Sequence, residues 1–476
     1  MTDKKDLLRQ LPSVDEVLRS PRIAELEERY PHHLLVDSVR EAIDRRREEI
    51  VAGRITGKAE KGPVDSEIII AAAAILEDLF RPRLVPLVNA TGIIIHTNLG
   101  RSILSEAALE RVRRIGGSYS NLEFNLATGK RGSRHDHVER LMTRLTGAEA
   151  AMVVNNNAAA VLLSLAALAK RKETIVSRGE LVEIGGSFRI PDIMRESGSK
   201  LVEVGTTNKT YAADYSGAIT PKTGMLLKVH SSNFRILGFT AAPTLEELVA
   251  LGDEHGIPVV EDQGSGVLID LSPFGLPKEP TVQESLSAGA ALVTCSGDKL
   301  FGGPQAGLIF GRAEYVAKLK KHPLARALRI DKMTLAAMEA TLAAYLDPAR
   351  LIAENPTIRM LTSPKEAFSE RAGKLAGKLA AELGEKADVA VEEDVARAGG
   401  GSLPLADIPT LVVTVKPKAC GPDRLERALR ASDPPIICRI KEDKLVFDMR
   451  TIQPGEEDLI LQAISSIRGA NHPCLR

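Results

Sequence analysis

The chain has 476 residues, of which 44% are hydrophobic, and its 63 Lys plus Arg balance 63 Asp plus Glu. Such a composition is ordinary for a water-soluble globular protein, and the length exceeds one compact core, so two or three domains are expected. A neutral total removes any argument for a nucleic-acid partner from net charge, leaving only a local basic surface to supply one.

The cysteines Cys295, Cys420, Cys438 and Cys474 show no CxxC or Cys/His ligand spacing. Neither a disulfide framework nor structural zinc is expected, and a reducing compartment fits. The start, MTDKKDLLRQ, lacks the apolar stretch of a signal peptide. Runs such as 158–169 are too short to span a bilayer. A cytoplasmic protein with no membrane partner is expected.

Residues 1 to about 80 read as helical. Leu35, Val36, Val39, Ala42 and Ile43 recur at helical spacing, with Arg40, Glu41, Arg45, Arg46 and Arg47 on the opposite face. Gly53 and the polar stretch Gly57 to Pro63 break that helix, and 66–80 resumes an apolar one. Pro82 and Pro86 then mark a boundary. From Val88 onward short apolar runs alternate with helices. Strands are predicted at 151–154, 174–177, 200–204, 224–229, 259–261, 292–295 and 306–310, with a helix over 244–255. That alternation predicts an α/β fold with a largely parallel sheet covered by helices. Helices are predicted from Arg329 to about 345 and over 365–383, and strands near 410–415, 436–440 and 444–448. The domains so delimited are 1–82, helical; 83–340, the large α/β body; and 341–476, a small α+β domain.

Three features in chain order carry the chemistry. Val153-Val154-Asn155-Asn156-Asn157-Ala158 is a strand running through a polar turn into an Ala-rich helix. A helix N-terminus offers free N–H groups to a phosphate, although a plain helix cap uses the same residues. Val259-Val260-Glu261-Asp262 is an apolar strand ending in a carboxylate, where open α/β sheets bind ligands. Val293-Thr294-Cys295-Ser296-Gly297-Asp298-Lys299-Leu300-Phe301-Gly302-Gly303-Pro304 delivers a lysine into a Gly-rich loop. The ordered set points to a pyridoxal-phosphate (PLP) enzyme: Lys299 bonds the cofactor, and a carboxylate keeps its ring nitrogen protonated.

Ser296–Gly307 resembles the lysine segment of bacterial selenocysteine synthases, the L-seryl-tRNA(Sec) selenium transferases. So do Asn89-Ala90-Thr91-Gly92, His96-Thr97-Asn98-Leu99-Gly100-Arg101, Tyr119-Ser120-Asn121-Leu122-Glu123, Gly129-Lys130-Arg131-Gly132-Ser133-Arg134, Glu183-Ile184-Gly185-Gly186-Ser187-Phe188-Arg189 and Glu203-Val204-Gly205-Thr206-Thr207-Asn208. The resemblance implies the type I fold of PLP-dependent transferases, with a mainly parallel seven-stranded sheet. It also implies conversion of L-seryl-tRNA(Sec) to L-selenocysteinyl-tRNA(Sec) through a PLP-bound aminoacrylyl group, with selenophosphate as the donor. In that light Lys299 and Asp298 are catalytic. Asp262 holds the ring nitrogen, Asn156, Asn157 and Ser296 hold the phosphate, and His230 either faces the cofactor hydroxyl or is a satisfied core histidine. Arg101, Arg326 and Arg329 would bind selenophosphate, the last two three apart and so on one helix face. The helical N-terminal domain would recognise tRNA(Sec), and the chains would form a homo-oligomer, a dimer-based ring of ten. Arg45-Arg46-Arg47 alone reads as a solvated face, offset by Asp44, Glu48 and Glu49. His135-Asp136-His137 lacks a third ligand, and no metal is expected. Two other readings share the core: a PLP lyase or aminotransferase acting on a free small amino acid, and a non-catalytic RNA-binding protein. The N-terminal region speaks against the former, and Lys299 against the latter.

Overall fold

The computed structural model describes residues 4–55, 64–184, 188–470 and 474. The stretch 57–63, expected to break a helix, and Gly185–Ser187 of one motif string lie outside the described residues. The described chain forms two compact units, Met1–Pro86 and Leu87–Arg476.

The first unit is all helical. Its two long helices, His32–Val51 and Val64–Phe80, follow short ones at Lys4–Arg9, Val14–Leu18 and Ala24–Arg29. Leu35, Val39, Ala42 and Ile43 of the first long helix meet Ile68, Ile69, Ala72 and Leu76 of the second in one buried cluster, as the apolar spacing predicts. The triple arginine is neutralised on the surface. Arg45 reaches Glu41 at 2.5 Å, Arg46 reaches Glu67 at 2.6 Å, and Arg47 pairs with Asp44.

A seven-stranded sheet forms the centre of the second unit. Its order is Ala150–Val154, Gly307–Gly311, Leu292–Ser296, Val259–Gly264, Thr223–Val229, Glu173–Ser177 and Lys200–Val204. Gly307–Gly311 runs antiparallel to both neighbours, and the other pairings are parallel. The central strands are buried along their whole length, consistent with helices on both faces. All seven predicted strands are present. The helix Leu245–His255 begins at a Thr244–Glu247 capping box, one residue after Pro243.

The remaining sheet has five strands, ordered Val88–Ala90, Ile436–Lys441, Lys444–Asp448, Ile408–Pro417 and Ala387–Ala396. Two of these were not expected from the sequence. Ala387–Ala396 pairs antiparallel along all of Ile408–Pro417, and Val88–Ala90 joins in parallel beside Ile436–Lys441. The chain thus enters the second unit through its C-terminal sheet before building the large one.

A further difference concerns the cysteines: Cys420 and Cys474 are joined in a disulfide, whereas none was expected. The two are 54 residues apart with no motif spacing. The helices Pro422–Arg430 and Glu456–Gly469, which lie between them in sequence, pack together and return the tail to Cys420. Among the described residues no helix is long and apolar enough to cross a membrane.

Candidate functional site

The site lies at the carboxyl ends of the central strands, where parallel sheets open a crevice. Asp262, near the end of Val259–Gly264, is 3% exposed. Its Oδ1 accepts from the Asn157 side-chain amide at 2.8 Å and from the Thr294 hydroxyl at 3.1 Å. Thr294 is the register partner of Asp262 on the adjacent strand. Burial pushes the Asp262 carboxyl up, while these two donors and the Lys299 charge pull the other way.

Lys299 follows the strand Leu292–Ser296 and is also buried. Burial drives its ammonium down from the ordinary lysine value, Asp262 opposes that shift, and Arg101 adds to it. A lysine so placed gives up its proton readily, which a covalent nucleophile requires. The surrounding loop is fixed by its backbone. Gly297 N–H donates to Ala306 at 2.8 Å, Gly302 N–H to Lys299 at 2.9 Å, and Leu300 N–H to Ser265 at 3.0 Å. Phe301 stacks on Tyr345 with ring centroids 4.9 Å apart, and the Tyr345 hydroxyl donates to Phe301 O at 2.8 Å. Gly302 has φ +70°, and a Cβ there would stand 2.4 Å from Asn355 Oδ1, so only glycine fits this turn.

Both side chains of the Asn turn have partners within the protein. Asn156 caps the helix Asn157–Leu168, its side-chain oxygen accepting from Ala159 N–H at 2.9 Å. Asn157 gives its amide to Asp262, and its own Oδ1 is buried with no partner. The free backbone N–H groups of that helix start are what remain for an anion. Ser296 is buried opposite Gly307 in the neighbouring strand. A Cβ on Gly307 would lie 2.1 Å from Asn156 O, so this glycine brings the turn and the lysine strand together. Asn156, Asn157, Asp262, Ser296 and Lys299 therefore converge.

Arg101 joins them through an ion pair with buried Asp298 at 2.8 Å, and the Ser102 hydroxyl donates to the carbonyls of Asp298 and Lys299. Arg326 and Arg329 do not share a helix face. The helix Leu324–Ala327 is a single turn, and Arg329 lies beyond it, bridged to Val154 in extended backbone, because Asn155 N–H takes the Leu328 carbonyl at 3.1 Å. Arg326 and Arg329 are both exposed, and Arg329 stands 3.5 Å from Glu123, which also pairs with Arg131 and Arg134.

His230 follows Thr223–Val229, and its N–H donates to Asp262 O at 2.9 Å. Burial, with Arg235 and Lys228 nearby, lowers its pKa to about 4, so the ring is neutral at pH 7. Its buried Nδ1 has no hydrogen-bond partner and lies 3.7 Å from Glu279 Oε2. Glu279, itself 3% exposed, receives Arg235 at 3.2 Å. Sequence reasoning missed Glu279, Arg235 and Thr294. Glu279 lies in an irregular segment between Pro277 and Pro280, where no periodicity marks burial. His135 is pushed down to about 4 by burial, and His137 Nε2 lies 3.1 Å from Leu122 O. Among the described residues no group of three or more His, Cys, Asp or Glu could hold a metal ion.

Residues 87–453 match the family described as L-seryl-tRNA selenium transferase, and residues 8–47 match that described as selenocysteine synthase N terminal. The chain is 49% identical over 471 residues to the L-seryl-tRNA(Sec) selenium transferase of Moorella thermoacetica, covering 99% of each. To the enzyme of that name from Carboxydothermus hydrogenoformans it is 49% identical over 453 residues, covering 95% of this chain and 96% of the relative. Among solved structures, D-glucosaminate-6-phosphate ammonia-lyase shares the fold with a TM-score of 0.57 at 20% identity, over 84% of this chain and 98% of that one. The architecture is the type I fold of PLP-dependent enzymes, and the chain belongs to the L-seryl-tRNA selenium transferase family.

Proposed function

We propose that this chain carries out its family's reaction, converting L-seryl-tRNA(Sec) to L-selenocysteinyl-tRNA(Sec), with PLP bound at Lys299 and selenophosphate as the donor. The observation that carries this reading is the buried pair of Lys299 and Asp262 at the ends of adjacent strands.

The residues present fit the cofactor. Asn157 Oδ1, His230 Nδ1 and Ser232 Oγ are buried polar atoms without partners near the strand ends, a state that is costly unless a polar ligand meets them. When bound, PLP supplies a protonated ring that draws electrons from the substrate α-carbon. Asp262 holds that ring nitrogen in its protonated form, and Asn157 with Thr294 fixes the carboxylate. The helix-start amides after Asn156, together with Ser296, face the phosphate. Lys299, its ammonium destabilised by burial, bonds the cofactor and then moves the proton at the seryl α-carbon. Asp298, held by Arg101, serves departure of the β-hydroxyl. Arg101, Arg326 and Arg329 clamp the selenophosphate, a task suited to guanidinium forks.

In this reading residues 1–82 recognise tRNA(Sec), 83–340 hold the cofactor, and 341–476 form the small domain of a cytoplasmic enzyme. Exposed Tyr119, Phe124 and Leu126 support assembly into a ring of dimers, since apolar side chains gathered at a surface mark contact sites. The test combines PLP-loaded protein with seryl-tRNA(Sec) and selenophosphate, with free serine in a parallel reaction. Selenocysteinyl-tRNA formed in the first alone supports the proposal; turnover of free serine with an inert tRNA overturns it.

A further inference from the structure

We propose that the cavity behind His230 receives the terminal nucleoside of the seryl-tRNA, an inference that rests on the reaction proposed above. The cavity encloses about 240 Å³, and its lining includes neither Lys299 nor Asp262. His230 forms one of its walls and donates its backbone N–H to the Asp262 carbonyl, so cavity and cofactor site share a partition. Small-molecule pockets run from roughly 300 Å³ upward. This one has room for a single nucleoside end and none for a stem.

The walls are two loops tied together: Asn208 donates its side-chain amide to Phe239 O at 2.6 Å, and Thr210 N–H donates to Ala241 O at 2.9 Å. Their close approach depends on Gly205, at φ +70°, where a Cβ would stand 2.2 Å from Thr210 Oγ1. The shape is thus set by the Glu203–Asn208 string, a motif that the cofactor chemistry leaves unused.

The charges of the lining decide what it holds. A free amino acid presents a bare carboxylate beside the reacting carbon and needs an unengaged cation there. Lys228 is committed to Pro243 O at 2.8 Å and to Glu180 at 3.5 Å, and Arg235 is committed to Glu279 and Ser231. His230 is neutral at pH 7. Of the cations in the lining only Lys209, at the rim, is unengaged, so none stands at the His230 partition to meet a bare carboxylate, which suits a seryl carboxyl that remains esterified to ribose. Phe234 and Ile236 supply apolar surface for a base, and Asn208, one amide hydrogen of which ties it to Phe239 O, keeps its second amide hydrogen for the ribose or base edge. Lys209 lies at the exposed rim, where the phosphodiester of the terminal nucleotide leaves the cavity.

The test measures binding to the full-length, PLP-loaded protein by calorimetry. The two probes are 3′-deoxy-3′-(L-serylamino)adenosine, a stable mimic of the seryl-tRNA end, and L-serinamide, which lacks the nucleoside. The mimic is expected to bind at least tenfold more tightly. Ala242→Leu, which adds bulk at the exposed mouth of the cavity, should bring the two within about twofold while retaining the cofactor absorbance band, and Asn208→Ala should narrow the gap from the opposite wall. Equal binding of both probes to the unaltered protein, or a gap that survives Ala242→Leu, overturns the proposal. Neither measurement needs turnover. A protein that binds the mimic tightly yet leaves seryl-tRNA(Sec) unconverted would refute the reaction and keep the nucleoside pocket.

Discussion

Replacing Asp262 by Asn separates what the site costs the fold from what it does. In the cofactor-free chain the Asp262 carboxylate is buried, and removing a charge from water costs several kcal/mol even after relaxation. Against that stand the attraction of the Lys299 charge and two hydrogen bonds to the carboxylate, from Asn157 and Thr294. Each bond loses about 1 kcal/mol on becoming neutral, the difference between charged and uncharged hydrogen bonds. The balance favours the variant by about 1 kcal/mol at pH 8, or a few degrees of Tm. The sign of the pH dependence follows from the raised folded-state pKa of Asp262. A carboxyl raised in the folded state stabilises fully below its unfolded value, about 3.9, and that contribution is lost as pH rises through the folded value. The advantage of the variant should therefore shrink as pH falls below the folded-state value and vanish towards the unfolded value, about 3.9. Denaturant melts of both cofactor-free proteins across that range measure it. With PLP bound, the variant should lose about 10²–10³-fold in turnover, since the ring nitrogen has lost its anionic partner. A variant less stable than the parent at pH 8 would refute the buried-charge reasoning. Full activity would refute the ring-nitrogen role.

Other substitutions probe separate parts of the site. Lys299→Ala should abolish both the PLP absorbance band and turnover, and a band that persists would exclude Lys299 as the bonding residue. Gly302→Ala places a Cβ 2.4 Å from Asn355 Oδ1 in a left-handed turn. It should cost about 1–2 kcal/mol in backbone strain and about 1 more for the bond from Asn355 to Gly302 O, read as a lowered denaturation midpoint. Removing residues 1–86, which form a unit with its own core, should leave PLP binding intact and abolish tRNA(Sec) affinity. Filter binding with labelled tRNA checks this, and undiminished affinity would overturn the role given to that unit.

The parts of the site that were legible in the sequence are those written in contiguous residues. An apolar strand that ends in Glu261-Asp262, and another that runs into Gly297-Asp298-Lys299, announce themselves because burial and the following turn are local properties. The strand Ala387–Ala396 failed the same reading for a physical reason. Its carboxylates at Glu392 and Asp394 break the apolar pattern, and they are held by cations of other strands, Lys444 at 2.7 Å and Arg439 at 3.0 Å, that no local window contains. Likewise the pairing of Cys420 with Cys474 depends on how two intervening helices pack.

Asn157 shows where the limit lies. The turn it occupies was found from sequence, and its amide was expected at a phosphate. The structure gives the amide to Asp262, 105 residues away. A side-chain amide can serve either acceptor, and its neighbours in sequence do not distinguish them. What decides is the sheet order, which sets Ala150–Val154 three strands from Val259–Gly264 while the helix after the turn crosses back over the strands between them. The unsatisfied demand of a buried carboxylate then claims the nearest donor, because leaving Asp262 unpaired would cost more than leaving Asn157 Oδ1 without a partner. Residue types therefore disclosed which groups the chemistry needs, and the competition among buried groups for partners assigned each one its task.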